Sequence, residues 1–260
     1  MSGRPTITEF RLPGATLRAT AVGDGPPVLL LHAGGERRAV WADVVAALPP
    51  SAHRAIAVDQ RGHGESSGSR SDGLPAFAGD VRDLVRSLGA PTVLVGASLG
   101  GMAILLAMAD GDLDDLVTGV VLVDVVPSPD PRRARRYLRQ SSTDRTGDMA
   151  ESPIARDILA HAAQLTASAR RLDTPTLLVR GTASEVTLED DVARFLQLVP
   201  HASVREIEGA HHLVASEAPE ALAEVLAEFL DGLGIASSTS NEGDGVRRRT
   251  VSAQTDRERE

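Results

Sequence analysis

Thr92-Val93-Leu94-Val95-Gly96-Ala97-Ser98-Leu99-Gly100-Gly101-Met102-Ala103-Ile104-Leu105-Leu106-Ala107 changes character at one residue, Ser98. Up to Ala97 the run is short, apolar and rich in Val and Leu, as a strand buried on both faces should be. Beyond Ser98 the apolar residues are spaced for a helix. A chain that passes from strand to helix through Gly-Ala-Ser-Leu-Gly turns so tightly that only small residues fit beside the serine. Such a turn lifts the Ser98 hydroxyl clear of the sheet end and points the next amide, that of Leu99, at whatever binds there. The bland alternative is a Gly-rich turn in which Ser98 merely caps the helix. The spacing alone leaves both readings open.

The same alternation extends in both directions. Strands are expected at 7–12, 15–22, 28–32, 55–59, 117–126, 176–180 and 203–208, in addition to 92–97. Helical spacing falls at 39–48, 74–88, 100–110, 188–199 and 219–233. Strands alternating with helices specify an α/β fold: a mostly parallel sheet of eight strands flanked by helices, its first two strands an antiparallel hairpin. Residues 1–127 and 174–235 are assigned to this core. Residues 128–173 are polar, Arg-rich and helical in composition, and read as a small lid inserted over one sheet edge. Residues 236–260 hold too few apolar groups to offset their ordering entropy and read as a disordered tail.

Composition narrows the chemistry. All 27 basic residues are arginine, and with 36 acidic residues the formal net charge is −9, which argues against a nucleic-acid partner. The absence of lysine removes Schiff-base chemistry and P-loop phosphate sites. The absence of cysteine removes disulfides, thiolate metal sites and thiol nucleophiles. The segment MSGRPTITEFRL does not read as a secretory signal, and no uncharged stretch approaches the roughly 20 apolar residues of a membrane span. A cytoplasmic enzyme acting on a small molecule, without membrane contact, is the expectation; the oligomeric state is not legible.

A serine hydroxyl is a weak nucleophile and needs a base within hydrogen-bond reach, itself oriented by an acid. The histidines after Ser98 are His161, His201, His211 and His212. His211 and His212 fall in the loop after the last expected strand, where an imidazole could hang over the sheet's C-terminal edge. For the acid, Glu185 follows the strand at 176–180, and Asp124 inside the run 117–126 is its rival.

These motifs together resemble the α/β-hydrolase-fold superfamily, in its branch of Ser-dependent esterases and lactonases with a short lid. The likeness runs from about residue 28 to 230. It includes Leu31-His32-Ala33-Gly34-Gly35, similar to the family's His-Gly oxyanion loop. It also includes Asp59-Gln60-Arg61-Gly62-His63-Gly64-Glu65-Ser66, similar to its D-x-R-G-x-G-x-S turn. The resemblance implies Ser98 as nucleophile, Glu185 as acid, His212 as base, and the amides of Gly34 and Leu99 as oxyanion donors, with no cofactor or metal. His32, Arg61 and His63 are expected to brace loops, and Asp59 and Asp80 to be solvated or helix-associated charges. Three positions depart from the family pattern: Ala33 and His211 stand where glycine is usual, and Glu185 where aspartate is. The five arginines of Pro131-Arg132-Arg133-Ala134-Arg135-Arg136-Tyr137-Leu138-Arg139 read as a solvated helix face, or as a clamp for an anionic substrate group.

A serine nucleophile suits acyl transfer, so the expected function is hydrolysis of a small carboxylic ester or lactone through an acyl-enzyme. Fold relatives that open epoxides or displace halide use an Asp at this turn, which Ser98 cannot imitate because an alkyl ether would be a dead end. Two other classes stay open at this level. One is a lyase, cyclase or cofactor-free oxygenase reusing the pocket; the other is a non-catalytic binder with a decayed site.

Overall fold

A computed structural model describes residues 4–49, 52–141 and 153–234; the expected tail at 236–260 lies outside the described residues. The eight strands are β1 (Thr6–Leu12), β2 (Ala15–Val22), β3 (Pro27–Leu31), β4 (Arg54–Val58), β5 (Thr92–Ala97), β6 (Val117–Val123), β7 (Thr176–Gly181) and β8 (Ser203–Ile207). They form one sheet in the order β1-β2-β4-β3-β5-β6-β7-β8. β1 pairs antiparallel with β2 and β2 antiparallel with β4, whereas every pairing from β4 through β8 is parallel. The expected architecture is therefore present, hairpin included.

Alternation along the strands sorts the core into two layers. Leu29, Leu31, Leu94, Leu122 and Leu178 face one side, where they pack with α2 (Leu74–Leu88), α3 (Leu99–Ala107), α6 (Ala162–Arg170) and α7 (Glu189–Leu198). Val28, Leu30, Val93, Val95, Val121 and Val179 face the other, against α1 (Ala42–Ala47) and α9 (Pro219–Gly232). A sheet covered on both faces needs apolar residues at every position, which is why these strands read as continuous runs.

The segment at 128–173 contributes α4 (Pro131–Ser141), α5 (Pro153–Ala160) and α6. Its last helix belongs to the main core, because Leu165 and Ala169 are fully buried there. Residues 142–152, in the middle of the expected lid, lie outside the described residues. Asp59, expected to be solvated or helix-associated, is instead a buried ion-pair member, and Asp80 lies on α2, as one of the two readings had it, but is buried in an ion pair rather than solvated. Asp59 pairs with Arg38, and Asp80 accepts both Nε and Nη2 of Arg61 at 2.7 and 2.6 Å. Burying a carboxylate is tolerable only with such partners.

Candidate active site

Parallel register brings the site together. Ala97 lies opposite Val123, and Val123 opposite Val179, so residues 98, 124 and 180 leave the same sheet edge side by side. Leu31 lies opposite Gly96, which sends the chain after β3 past the start of α3. The edge where the strands end is where open α/β sheets bind ligands.

Ser98 occupies the turn between β5 and α3 with φ 46° and ψ −109°, and Asp124 follows β6 with φ 50°. They are the two non-glycine residues with positive φ among the described residues. The neighbouring glycines are required by contact. A Cβ on Gly96 would sit 2.5 Å from the backbone of Gly100 and Gly101, and one on Gly100 would run into the carbonyl of Leu31. The spacing Gly-x-Ser-x-Gly is thus a packing requirement of a strand and helix crossing at the serine.

The Ser98 hydroxyl lies 3.0 Å from Nε2 of His212, and Nδ1 of His212 lies 2.7 Å from Oδ2 of Asp124. His212 is buried and Asp124 entirely so. With Nδ1–H donating to the carboxylate, Nε2 is left as the acceptor for the serine proton. Asp124 is held by two further donors, Ser184 Oγ–H at 2.6 Å to Oδ2 and the Gly181 amide at 3.2 Å to Oδ1. Ser184 is itself fixed, since its oxygen accepts the amides of Val186 and Thr187 at 3.2 Å each.

The expectation that Glu185 supports the histidine is corrected by this geometry. Its side chain is 60% exposed and its nearest charged partner is Arg136, at 4.0 Å. The loop after β7 turns Ser184 inward onto Asp124, so the next residue points to solvent. Asp124, the rival, takes the place beside the imidazole. The other histidines separate in the same way. His211 is 66% exposed and turned toward Glu217, which accepts its amide at 2.6 Å, while His161 and His201 bond to the backbone carbonyls of Asp157 and Thr174.

Gly34 lies against Leu99, close enough that a Cβ on it would sit 3.7 Å from the leucine side chain. No acceptor within the protein engages the Gly34 amide among the described residues. Leu99 opens α3, so its amide has no carbonyl one helical turn back to donate to. Gly34 thus lies against the residue that follows Ser98, and neither its amide nor that of Leu99 has an acceptor within the protein among the described residues. Ala33, the departure from glycine, keeps its methyl buried beneath the loop.

His32 and His63 brace this region, as expected. His32 Nδ1–H donates to the Ala33 carbonyl at 2.8 Å and Nε2 accepts the Gln60 amide at 3.1 Å. Burial pushes the His32 imidazolium down to about 4, so the ring is neutral and able to accept. Burial lowers His63 likewise. Two residues that the sequence did not single out, Ser184 and Glu36, also shape the site, as does the ring of Tyr137 from the Arg-rich helix. Tyr137 projects from α4 and meets the His212 ring edge-on at a centroid distance of 4.6 Å. Glu36 accepts the Ala33 amide, and burial raises its carboxyl above the usual range. A Glu four residues past His32, in a loop rich in glycine, was the available hint. Of the Arg-rich helix, Arg133 crosses to the buried Asp191 of α7 at 2.6 Å, while Arg132, Arg135 and Arg136 are exposed. Among the described residues, no three His, Asp or Glu side chains are grouped to hold a metal ion, and no helix is long and apolar enough to cross a membrane.

Comparison with known proteins agrees with this architecture. Residues 26–166 match the model of the alpha/beta hydrolase fold family. An esterase of Mycobacterium tuberculosis is 31% identical over 259 residues, covering 80% of this chain and 84% of that protein. Protein phosphatase methylesterase 1 of Bos taurus is 38% identical over 110 residues, 40% of this chain but 29% of the relative's length. A loop variant of a haloalkane dehalogenase from Bradyrhizobium elkanii superposes with TM-score 0.71 over 88% of this chain and 98% of its own, at 19% identity, a likeness of fold alone. With more than half of its length matched by the family model and an esterase relative above 30% identity over most of both chains, this chain belongs to the α/β-hydrolase-fold family.

Proposed function

We propose that the protein is a serine hydrolase that cleaves small carboxylic esters or lactones through an acyl-enzyme. The observation that carries this is the continuous line from the Ser98 hydroxyl through His212 to Asp124, at 3.0 and 2.7 Å. Ser98 Oγ attacks the ester carbonyl as Nε2 of His212 takes its proton, and the amides of Gly34 and Leu99 receive the oxyanion. Collapse expels the alkoxide, which leaves with the proton from Nε2. Water then repeats the sequence on the acyl-enzyme, releasing the acid and restoring Ser98. Asp124 stays ionised, holds the imidazole in the tautomer with the proton on Nδ1, and offsets its charge when Nε2 is protonated. Each oxyanion donor of this kind is worth about 3–4 kcal/mol in the transition state.

Dehalogenase chemistry is disfavoured by the nucleophile, since an alkyl group transferred to Ser98 would form an ether that water does not release. The reading of a decayed binder rested on Ala33, Glu185 and His211. None of the three damages the site: the methyl of Ala33 is buried, Glu185 stands outside, and His211 faces away. A lyase, cyclase or oxygenase using His212 alone would not need the oxyanion amides so arranged.

Labelling with a fluorophosphonate probe tests the proposal. The native chain should label stoichiometrically and Ser98→Ala not at all, with p-nitrophenyl ester turnover lost in parallel. Ester turnover that persists in Ser98→Ala would overturn the acyl-enzyme reading.

A further inference from the structure

The loop after β3 is held more tightly than its sequence requires. Gly34 and Gly35 give it wide backbone freedom, and free glycine pairs do not hold one peptide orientation. Yet three of its amides are tied. Ala33 N–H donates to Oε2 of Glu36 at 3.1 Å, Gly35 N–H to Nε2 of His63 at 3.2 Å, and Glu36 N–H to the Ala33 carbonyl at 3.1 Å. Of the amides at residues 33–36, that of Gly34, between two clamped peptides, has no acceptor within the protein among the described residues.

The His63 clamp is itself anchored: His63 Nδ1–H donates to the carbonyl of Arg61 at 2.9 Å, which fixes the tautomer with Nε2 as acceptor. The second carboxylate oxygen of Glu36 lies 3.5 Å from the Ser216 hydroxyl in α8 (Val214–Glu217), whose proton goes to the Leu213 carbonyl at 3.0 Å. Glu36 therefore sits beside the segment that carries His212 without being bonded to it.

We propose that Glu36 is a positioning residue for the oxyanion hole: with His63 it fixes the peptides on either side of Gly34, so that the Gly34 amide alone is presented to the tetrahedral oxyanion. This inference rests on the acyl-transfer reading above. Glu36 works as an acceptor, so an isosteric amide oxygen should replace it, whereas a methyl should not. Loosening the loop should weaken binding of the transition state while leaving ground-state binding nearly intact.

The test compares Glu36→Ala and Glu36→Gln in the full chain. It measures kcat and KM on p-nitrophenyl butyrate, the inhibition constant of butylboronic acid, and the thermal midpoint. Butylboronic acid forms a tetrahedral anion on the serine and so reports the hole directly. Glu36→Ala should lower kcat about 10- to 100-fold, below the loss of a whole donor. Its KM should stay within about threefold and its boronate affinity should fall in step with kcat. Glu36→Gln should stay within about threefold throughout. Should the alanine variant not fold, Glu36→Asp draws the carboxylate back by about 1.5 Å and should show the same kcat-selective loss. The inference is overturned by a Glu36→Ala enzyme with native kcat, by a Glu36→Gln as impaired as the alanine variant, or by loss of kcat with boronate affinity unchanged. A wild-type protein that does not acylate would sink the reading of the site, and this inference with it. An active wild type matched by Glu36→Ala would sink the inference alone.

Discussion

Replacing Asp124 by Asn, beside Glu185→Gln, separates the two carboxylates that the sequence offered. Asp124 accepts three hydrogen bonds: His212 Nδ1–H and Ser184 Oγ–H on one oxygen, and the Gly181 amide on the other. Asparagine has the same shape but a single acceptor atom. With its oxygen toward His212, its NH2 meets the Gly181 amide head-on; flipped, the NH2 faces both Nδ1–H and the Ser184 hydroxyl. The first arrangement leaves one buried donor unsatisfied, at about 1–3 kcal/mol of stability. Neither supplies the charge that offsets a protonated His212, and the second also favours the wrong tautomer. In a comparable triad that loss is about 10⁴-fold in kcat, roughly 5 kcal/mol at 1.36 kcal/mol per decade. Glu185→Gln removes only an ion pair with Arg136 at 4.0 Å, both side chains more than half exposed. Such pairs are worth about 0–1 kcal/mol, and this one touches no reacting group, so turnover should stay within about threefold. The assay is steady-state hydrolysis of p-nitrophenyl butyrate on variants whose cooperative unfolding has been checked, with active sites counted by the acylation burst. A hundredfold loss in Glu185→Gln, or an Asp124→Asn variant within tenfold of wild type, would refute the assignment.

Three other outcomes follow from the same geometry. His212→Ala should abolish esterase turnover and serine labelling, whereas His211→Gly, altering a side chain 66% exposed, should keep both; the reverse pattern in the two assays would exchange their roles. Ser184→Ala removes a donor to Asp124 and the acceptor for the Val186 and Thr187 amides, so urea unfolding should show a loss of about 1–3 kcal/mol, and a neutral result would show that water replaces the hydroxyl. His32 titrates at about 4 when folded against about 6.5 when unfolded. Below pH 6.5 the unfolded chain therefore binds the extra proton, and stability present at pH 7 drains as pH falls toward 4. Between pH 7 and 4.5 the wild type should lose about 2.5 kcal/mol more than His32→Gln in urea titrations, and equal losses would show that the ring is not held neutral.

What was legible in the sequence was what the backbone pattern dictates. All eight strands fall within a residue or so of their expected starts, because a sheet covered on both faces forces continuous apolar runs bounded by turns. The place of Ser98 was legible because Gly96, Ser98 and Gly100 mark a crossing that only small residues permit, and that of His212 through the family resemblance. The carboxylate beside His212 was not. The run Val120-Val121-Leu122-Val123-Asp124-Val125-Val126 hides the end of β6, since apolar residues continue past the point where pairing stops. The available signal was energetic rather than positional. A carboxylate within so apolar a stretch must be buried, and a buried carboxylate needs donors, so Asp124 had to be paired with something. Nor could the sequence separate Ser184 from Glu185, because which of two neighbours in a loop turns inward is decided by the partner already waiting there.

The placement of Asp124 explains the backbone at both strand ends. β6 is the neighbour of β5, so a residue just past Val123 stands beside Ser98, whereas the loop from β7 starts one strand farther away. Continuing as a strand would carry residues 98 and 124 on past the edge with their side chains alternating between the two faces of the sheet. A positive φ at each breaks that alternation at the last moment, and both chains do it at matched positions. Serine and aspartate in that region are strained by about 1–3 kcal/mol each. The surrounding contacts hold the strain: the Ser98 amide donates to Val123 and the Asp124 amide to Val179 at 2.7 Å, while the Asp124 carbonyl accepts the Thr187 hydroxyl at 3.1 Å. The rigid sheet thus fixes Ser98 and Asp124 beside one another before any substrate arrives. His212, on a loop after β8, needs only its two ring nitrogens to complete the line between them.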